Sequence, residues 1–528
     1  MGEKKSLFRG MEGHGTIMRK HHILTAVVAS AVFSLGASTL ALAGEESTSG
    51  GTFTYARSDS TTSFDLHQEI TENNAFAIDK VFESLVTFDN DGNIIDWLAE
   101  DHKISDDGLI YTFTLRDGLK FSDGTDVTAE DVKFSIERHL EVGGSLPIEA
   151  DVKSVEAVDE KTVEITLGTA YTPFLSELAN FSNGIIPKDF GGKTEEEFFK
   201  NPVGTGPFAV SEWDPSGDLT FVKNEYYWQE GKPYIDELVY KVVDDDNQAL
   251  NQLLAGEIDG IEDLSLSNAS NVDGNADTKT ATSFSYNVEE LFFNTLDEHF
   301  SDEHVRRALA MAIDRESLTK ALTFGYAEIA NTVLPRALLY QTNDTVNALS
   351  YDIDAAKEEL AQSAYPDGFD TTISIASGNN TRLQEAQIIQ AAGAQIGINI
   401  EINAQEISTF RSDFRDLNFS MMINSATADY PDANSIFAFQ VDPDGWSKCY
   451  WTSYNNETAA DLMRKGQVTP DGDERAAVYE ELQQILADEV PYIPLYNSEN
   501  VVGLRDNVEG FTVLPNGSVH FEDVYFEE

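Results

Sequence analysis

Asn201 to Leu238 reads NPVGTGPFAVSEWDPSGDLTFVKNEYYWQEGKPYIDEL. Two glycines and two prolines fall within Asn201–Phe208, a short apolar run follows, and the aromatic group Tyr226-Tyr227-Trp228 comes next. Gly204 and Gly206 are open to backbone angles with positive φ, whereas Pro202 and Pro207 fix φ and forbid helix continuation. The stretch therefore predicts a specific tight connection, which a generic core would not need.

Upstream, residues 107–139 read DGLIYTFTLRDGLKFSDGTDVTAEDVKFSIERH. Tyr111, Phe113 and Leu115 alternate as one strand face, Asp117-Gly118 and Asp123-Gly124 signal turns, and Thr128 with Asp131 opens a helix in the manner of a capping box. With a strand pair at Val152–Val158 and Thr162–Leu167, this predicts a compact α+β unit. Earlier still, Thr52–Ala56 alternates as a strand, and Ile78, Val81, Phe82 and Leu85 fall at helical spacing within Ile78–Phe88. The acids of Asp89-Asn90-Asp91-Gly92 read as a turn, because a calcium loop starting at Asp89 would need glycine where Ile94 stands.

Downstream, Gln248–Leu254 predicts a helix, and Ser301–Phe324 a long one with an apolar stripe of Val305, Leu309, Ala312, Ile313 and Leu322 stopped by Gly325. Thr372–Ala376, Thr381–Ile396, Ile398–Ala404 and Phe419–Ser425 alternate strand, helix, strand and strand, which implies a crossover and a parallel sheet. Asp473–Glu489 reads as a last long helix stopped by Pro491 and Pro494, with strands returning over Val501–Val519.

The motif PVGTGPF, Asn224, Tyr227-Trp228 and Gly231-Lys232-Pro233-Tyr234-Ile235-Asp236 closely resembles the family 5 extracellular solute-binding proteins. So do the unit from Asp107, Gly256-Glu257-Ile258-Asp259, and Val305-Arg306-Arg307-Ala308-Leu309 with Ala312-Ile313-Asp314-Arg315. The resemblance implies an α/β, type II periplasmic-binding-protein-like fold: two lobes with a hinge, plus an extra α+β peripheral domain. It places a discontinuous first lobe at 44–83, 199–289 and 503–528, the peripheral domain at 84–198 and the second lobe at 290–502, with the hinge near 286–292 and 497–503. It further implies the capture of a small peptide for the permease subunits of an ABC importer by hinge closure. Oligosaccharide or nickel cargo is the alternative within the family, and a secreted hydrolase is the reading outside it.

The chain is long enough, at 528 residues, for roughly three domains. Met18-Arg19-Lys20-His21-His22, the apolar run Ile23–Leu42 and Ala41-Leu42-Ala43 read as a secretory signal peptide over 1–43, with residues 1–17 as an upstream start-site extension. Cys449 is the single cysteine, so no disulfide framework is expected and no cysteine stands at the cleavage site to take a lipid. A soluble periplasmic monomer is the expectation. The formal net charge is −57, and becomes −60 without residues 1–43, which hold five of the basic and two of the acidic residues. Such a charge excludes nucleic acid and anionic membranes as partners, since both require a basic footprint. It also fits an acidic surface adapted to salt.

No nucleophile elbow, phosphate loop or metalloprotease motif occurs, and Gly204-Thr205-Gly206 is followed by Pro207 where a dinucleotide site would need a helix. No catalytic residue, metal or cofactor is expected: His299 and His304 lack helical metal-ligand spacing, and Asp244-Asp245-Asp246 reads as a solvated loop. For binding, the loop Ala428-Asp429-Tyr430-Pro431-Asp432 resembles the family's aspartate loop. The resemblance implies that Asp429 holds a ligand α-ammonium, with Tyr430 beside it. Arg382, at a helix start, is the candidate for a ligand carboxylate. Arg57 and Ser58, on the loop after the first strand, are candidates for ligand backbone, and Trp446 and Tyr450 for apolar walls. Trp446 and Trp451 would stack on sugar rings under the oligosaccharide reading.

Overall fold

The computed structural model describes residues 50–68, 71–89, 92–445 and 452–527. The signal-peptide expectation, Asn90 and Asp91, and the segment holding Trp446, Cys449, Tyr450 and Trp451 lie outside the described residues.

Alternating burial along Thr52–Arg57, with Phe53 and Tyr55 in the core, pairs this strand in parallel with Glu237–Val242. From there one sheet extends in the order Ile398–Gln405, Phe369–Ala376, Met421–Thr427, Thr278–Phe293, Tyr492–Arg505, Gly260–Ile261, Thr52–Arg57, Glu237–Val242, Leu219–Lys223 and Phe208–Trp213. Two antiparallel strands, Thr278–Phe293 and Tyr492–Arg505, tie its halves together. One end of the pair meets Gly260–Ile261, the other meets Met421–Thr427. Between those ends the register slips: Phe284 faces Glu499, but Val288 faces Asn497. This bulge leaves Tyr286 and Asn287 out of the ladder between the two long strands, and a bulge bends its strand and raises the local twist.

Apolar side chains gather in separate clusters on this frame. Phe53, Phe64, Phe82, Phe198 and Phe221 pack together on one half of the sheet. Leu291, Leu309, Ile389, Ile398 and Met421 form another cluster on the far half. A third, including Phe88, Phe113, Val132, Ile165 and Phe174, lies over the four-stranded antiparallel sheet Ala99–Ile104, Ile110–Leu115, Thr162–Leu167 and Val152–Ala157. Its helix, Ala129–Val142, starts at the expected capping box: Thr128 N and Oγ1 both donate to Asp131 Oδ2 at 2.7 Å. On the far half, Phe369–Ala376 and Ile398–Gln405 pair in parallel across helix Asn380–Gln395, as the strand–helix–strand pattern predicts.

Four expectations are corrected. Gly204 and Gly206 do not occupy positive φ. They are needed because the chain there runs against the end of helix Glu72–Val81: a Cβ on Gly204 would sit 2.0 Å from Val81 O, and one on Gly206 2.5 Å from Lys80 O. Gly206 N donates to Val81 O at 2.8 Å and Ser122 N to Gly204 O at 2.9 Å, so the motif is clamped between that helix and the α+β unit. The helix itself ends at Val81, not beyond Leu85, and Val86–Phe88 is a strand paired with Ile94–Asp96. The long helix over Ser301–Phe324 is two, Glu303–Ala312 and Arg315–Leu322. Asp314 breaks it by capping the second, accepting from Ser317 N at 3.0 Å. Pro494 does not precede the last long strand but lies inside Tyr492–Arg505, at a second register shift where its missing N–H is tolerated.

Candidate functional site

A cavity of about 600 Å³ opens where the bulged pair, the C-terminal segment, helix Glu72–Val81 and the loop after Met421–Thr427 converge. The volume lies within the ~300–1,000 Å³ common for small-ligand sites.

One wall is the loop carrying Asp429. The strand ends at Thr427 and helix Asn434–Gln440 begins a few residues on, so the intervening backbone must find partners outside the ladder. Ala428 N donates to Tyr286 O at 3.0 Å, tying the loop to the bulge. Asp429 N donates to Ser435 Oγ at 2.7 Å, and its carbonyl accepts from Asn180 Nδ2 at 2.7 Å. Beneath, Asp432 is held by a two-pronged bond from Arg475 at 2.7 and 2.8 Å, and both side chains are almost wholly buried. With its backbone fixed this way, Asp429 presents its carboxylate to the cavity, where it accepts no hydrogen bond from a described residue. That carboxylate is open to water in the cavity yet walled by protein, and the desolvation, with Glu149 nearby, raises its pKa to about 6. Tyr430 also lines the cavity, its hydroxyl packed at 3.3 Å from that of Tyr171.

Behind the other wall stands the opening motif, of which Pro207 itself lines the cavity. Glu83 follows the helix that Gly204 and Gly206 press against. Its Oε1 accepts from Trp97 Nε1 at 2.8 Å, Tyr227 Oη at 3.1 Å and Trp228 Nε1 at 3.2 Å. Burial pushes the Glu83 carboxyl up to about 7, against the pull of the two indole donors and the Thr205 hydroxyl. Lys80 and His520 are the cationic side chains among the described lining residues, and both have acidic partners: Lys80 Nζ lies 2.8 Å from Asp79 and His520 Nδ1 2.8 Å from Glu522.

The structure brings Asp429 and Tyr430 to the cavity but not Arg57, Ser58 or Arg382. Arg57 is 2% exposed and fully committed: it bonds Glu262 at 2.9 Å and Asn73 at 2.8 and 3.1 Å, and stacks over Tyr240. Arg382 grips both oxygens of Glu289 at 2.6 and 3.1 Å, which leaves no free charge for a ligand carboxylate. Each arginine balances a buried glutamate, and a buried charge left alone is costly. Ser58 is exposed away from the cavity. Trp446 and Tyr450 lie outside the described residues. Sequence reasoning missed Glu83 and Tyr286. Tyr227-Trp228 was the one signal toward Glu83, since paired indole and phenol donors need an acceptor when buried.

Comparison with known proteins bears on the family and the fold. The sequence profile of "Bacterial extracellular solute-binding proteins, family 5 Middle" matches residues 93–448. The glutathione-binding protein GsiB of Escherichia coli O1:K1 is 28% identical over 452 residues, covering 84% of this chain and 88% of that protein. Among solved structures, the periplasmic binding protein DppA of Helicobacter pylori in complex with peptide STSA superposes with a TM-score of 0.75 at 27% identity, covering 91% of this chain and 99% of the other. AgaA of A. tumefaciens, in complex with agropinic acid, gives 0.76 at 27% identity over 90% of this chain and 99% of its own. The fold is thus that of the type II periplasmic binding proteins, and the chain belongs to the family 5 bacterial extracellular solute-binding proteins.

Proposed function

We propose that the chain is the secreted solute-binding component of an ABC importer, and that it captures a small peptide in the cavity beside Asp429. The observation carrying this reading is Asp429: its backbone is held by Ser435 and Asn180, and its carboxylate lines the cavity without a bond from a described residue. A carboxylate in such a site makes charge-assisted bonds to an ammonium group, about twice as strong as neutral ones. The names of GsiB and of the STSA-bound DppA support peptide cargo. The bulge at Phe284–Val288, with Glu499–Asn497 opposite, is the proposed hinge, and it divides the chain into the lobes drawn above. Ligand contacts from both sides of the cavity then favour the closed form, which the permease reads. Nothing in this cycle requires bond chemistry. Secretion through residues 1–43 to a periplasm, as a monomer, completes the reading.

AgaA, solved with agropinic acid, keeps a non-peptide ligand in play. Mass spectrometry of the ligand that co-purifies under gentle conditions separates the two: a peptide supports the proposal, and a sugar, metal chelate or opine-like acid overturns it. Asp429→Ala should abolish peptide-induced thermal stabilisation while leaving the melting temperature of the free protein nearly unchanged. Undiminished peptide binding by that variant removes Asp429 from the site.

A further inference from the structure

The α+β unit bonds directly to the face that carries Asp429. One side of this contact comes from the chain after strand Thr162–Leu167: Tyr171 and Thr172 stand just before the short helix Phe174–Leu178, and Asn180 follows it. Thr172 N donates to Gln467 O at 2.7 Å, and Thr172 Oγ1 to Thr469 O at 2.9 Å. Tyr171 Oη accepts from Asn434 Nδ2 at 3.0 Å and lies 3.3 Å from Tyr430 Oη. Asn180 Nδ2 donates to the carbonyl of Asp429 itself. The paired residues are 249 to 297 positions apart, so only the fold brings them together.

Both sides of the contact are braced from within. Asn180 Oδ1 accepts from Ser182 N at 3.2 Å, capping the turn Phe181–Asn183, which leaves Nδ2 to reach across. Tyr171 Oη donates to Glu149 Oε2 at 3.0 Å, and Glu149 N donates to Glu177 Oε1 at 3.3 Å. On the facing side Arg475 holds Asp432, in the Asp429 loop, and also donates to Gly466 O at 2.8 Å, in helix Glu457–Val468. One guanidinium thus joins the two receiving surfaces, the loop and the helix end, into a single piece. Bonds between groups already held in place lose little side-chain entropy when they form.

Tyr171, Thr172, Gln467 and Thr469 are not among the described residues that line the cavity. Their bonds therefore favour closing whether or not the cavity is filled, and opening would part them together. A closed state that is already populated lowers what a ligand must supply to shut the cleft.

We propose that the α+β unit is a clasp for the cleft, with Tyr171, Thr172 and Asn180 fastening it to the Asp429 face. This rests on the hinge-closure reading above and goes beyond it in assigning part of the closing free energy to protein contacts outside the ligand site.

The main test needs no ligand. In the full chain carrying Cys449→Ser, spin labels at Lys103→Cys, on the α+β unit, and Asp461→Cys, on helix Glu457–Val468, report open and closed distances by pulsed electron paramagnetic resonance. The double variant Tyr171→Phe, Thr172→Val leaves the cavity lining intact and should lower the closed-to-open ratio of the free protein about fivefold or more. Thermal melting serves as the control for folding. Trialanine, as the peptide probe, should leave the double variant faster by a similar factor. An unchanged ratio in the double variant, or a free wild type with no closed population, overturns the clasp. A lowered ratio with no binding of trialanine by either protein upholds the clasp and counts against the peptide reading alone.

Discussion

Replacing Gly204 by alanine puts a methyl carbon 2.0 Å from Val81 O and 2.8 Å from Phe82 Cδ1. Unstrained contact between such atoms begins near ~3.5 Å, so the PVGTGPF segment and the helix end must part by more than about 1 Å. The bond from Gly206 N to Val81 O, 2.8 Å long, would then pass beyond hydrogen-bonding range. Overpacking of a tight contact costs ~1–3 kcal/mol, and the lost bond adds ~0.5–1.5 kcal/mol. Together these predict a loss of about 2–4 kcal/mol, read as a shift of the urea midpoint followed by tryptophan fluorescence. Gly217→Ala is the control within the same stretch: its Cβ meets only the side chain of Asp214, at 3.1 Å, and should cost below ~0.5 kcal/mol. Because Lys80, Phe82 and Glu83 beside the contact line the cavity, Gly204→Ala should also weaken ligand-induced stabilisation. An unfolding midpoint for Gly204→Ala no lower than that of Gly217→Ala would show that the helix end yields freely, and would refute the close-approach argument.

Arg475→Met should destabilise by about 3–5 kcal/mol, because Asp432 then keeps a buried charge without its partner; adding Asp432→Asn should recover part of that loss, and a double variant no better than the single one would refute the charge explanation. Since burial pushes the Asp429 carboxyl up to about 6 and a peptide α-ammonium loses its proton near ~8, affinity should be highest near pH 7 and fall as pH drops through 6, while a flat profile from pH 7 to 5 would count against Asp429 as the anchor. For the free protein the sign is opposite: the folded pKa lies above the unfolded one of ~3.9, so this group's contribution to stability is present below about pH 4 and declines as pH rises through 6. With a net charge of −57, the protein should be more stable in molar salt than in dilute buffer, since screening shortens the repulsion to ~3 Å; equal melting temperatures in both would sink the idea of salt adaptation.

Local signals located most elements. The Thr128–Asp131 capping box and helix Asp473–Glu489 stand where the pattern puts them, and the strand expected over Thr52–Ala56 runs one residue further, to Arg57. The misreadings occurred where a distant segment or a single polar side chain overrode a regular pattern. Val81 O is taken by Gly206 N rather than by the next helical turn, and Asp314 caps a new helix where an apolar stripe ran on unbroken. Of the residues singled out, Asp429 and Tyr430 line the cavity, whereas Arg57 and Arg382 are held away from it by partners, Glu262 and Glu289, that lie 205 and 93 residues away in sequence.

By itself, then, the sequence determined the family, the alternation of helices and strands, the acidic charge and the aspartate loop, all of which are carried by short-range periodicity and contiguous motifs. Tertiary structure alone decided which charges are free. Asp429 is open to the cavity while two promising arginines are silenced by buried glutamates. The physical reason is that a side chain's availability depends on the partners brought within about 3 Å of it, and those partners come from remote parts of the chain that no local pattern records.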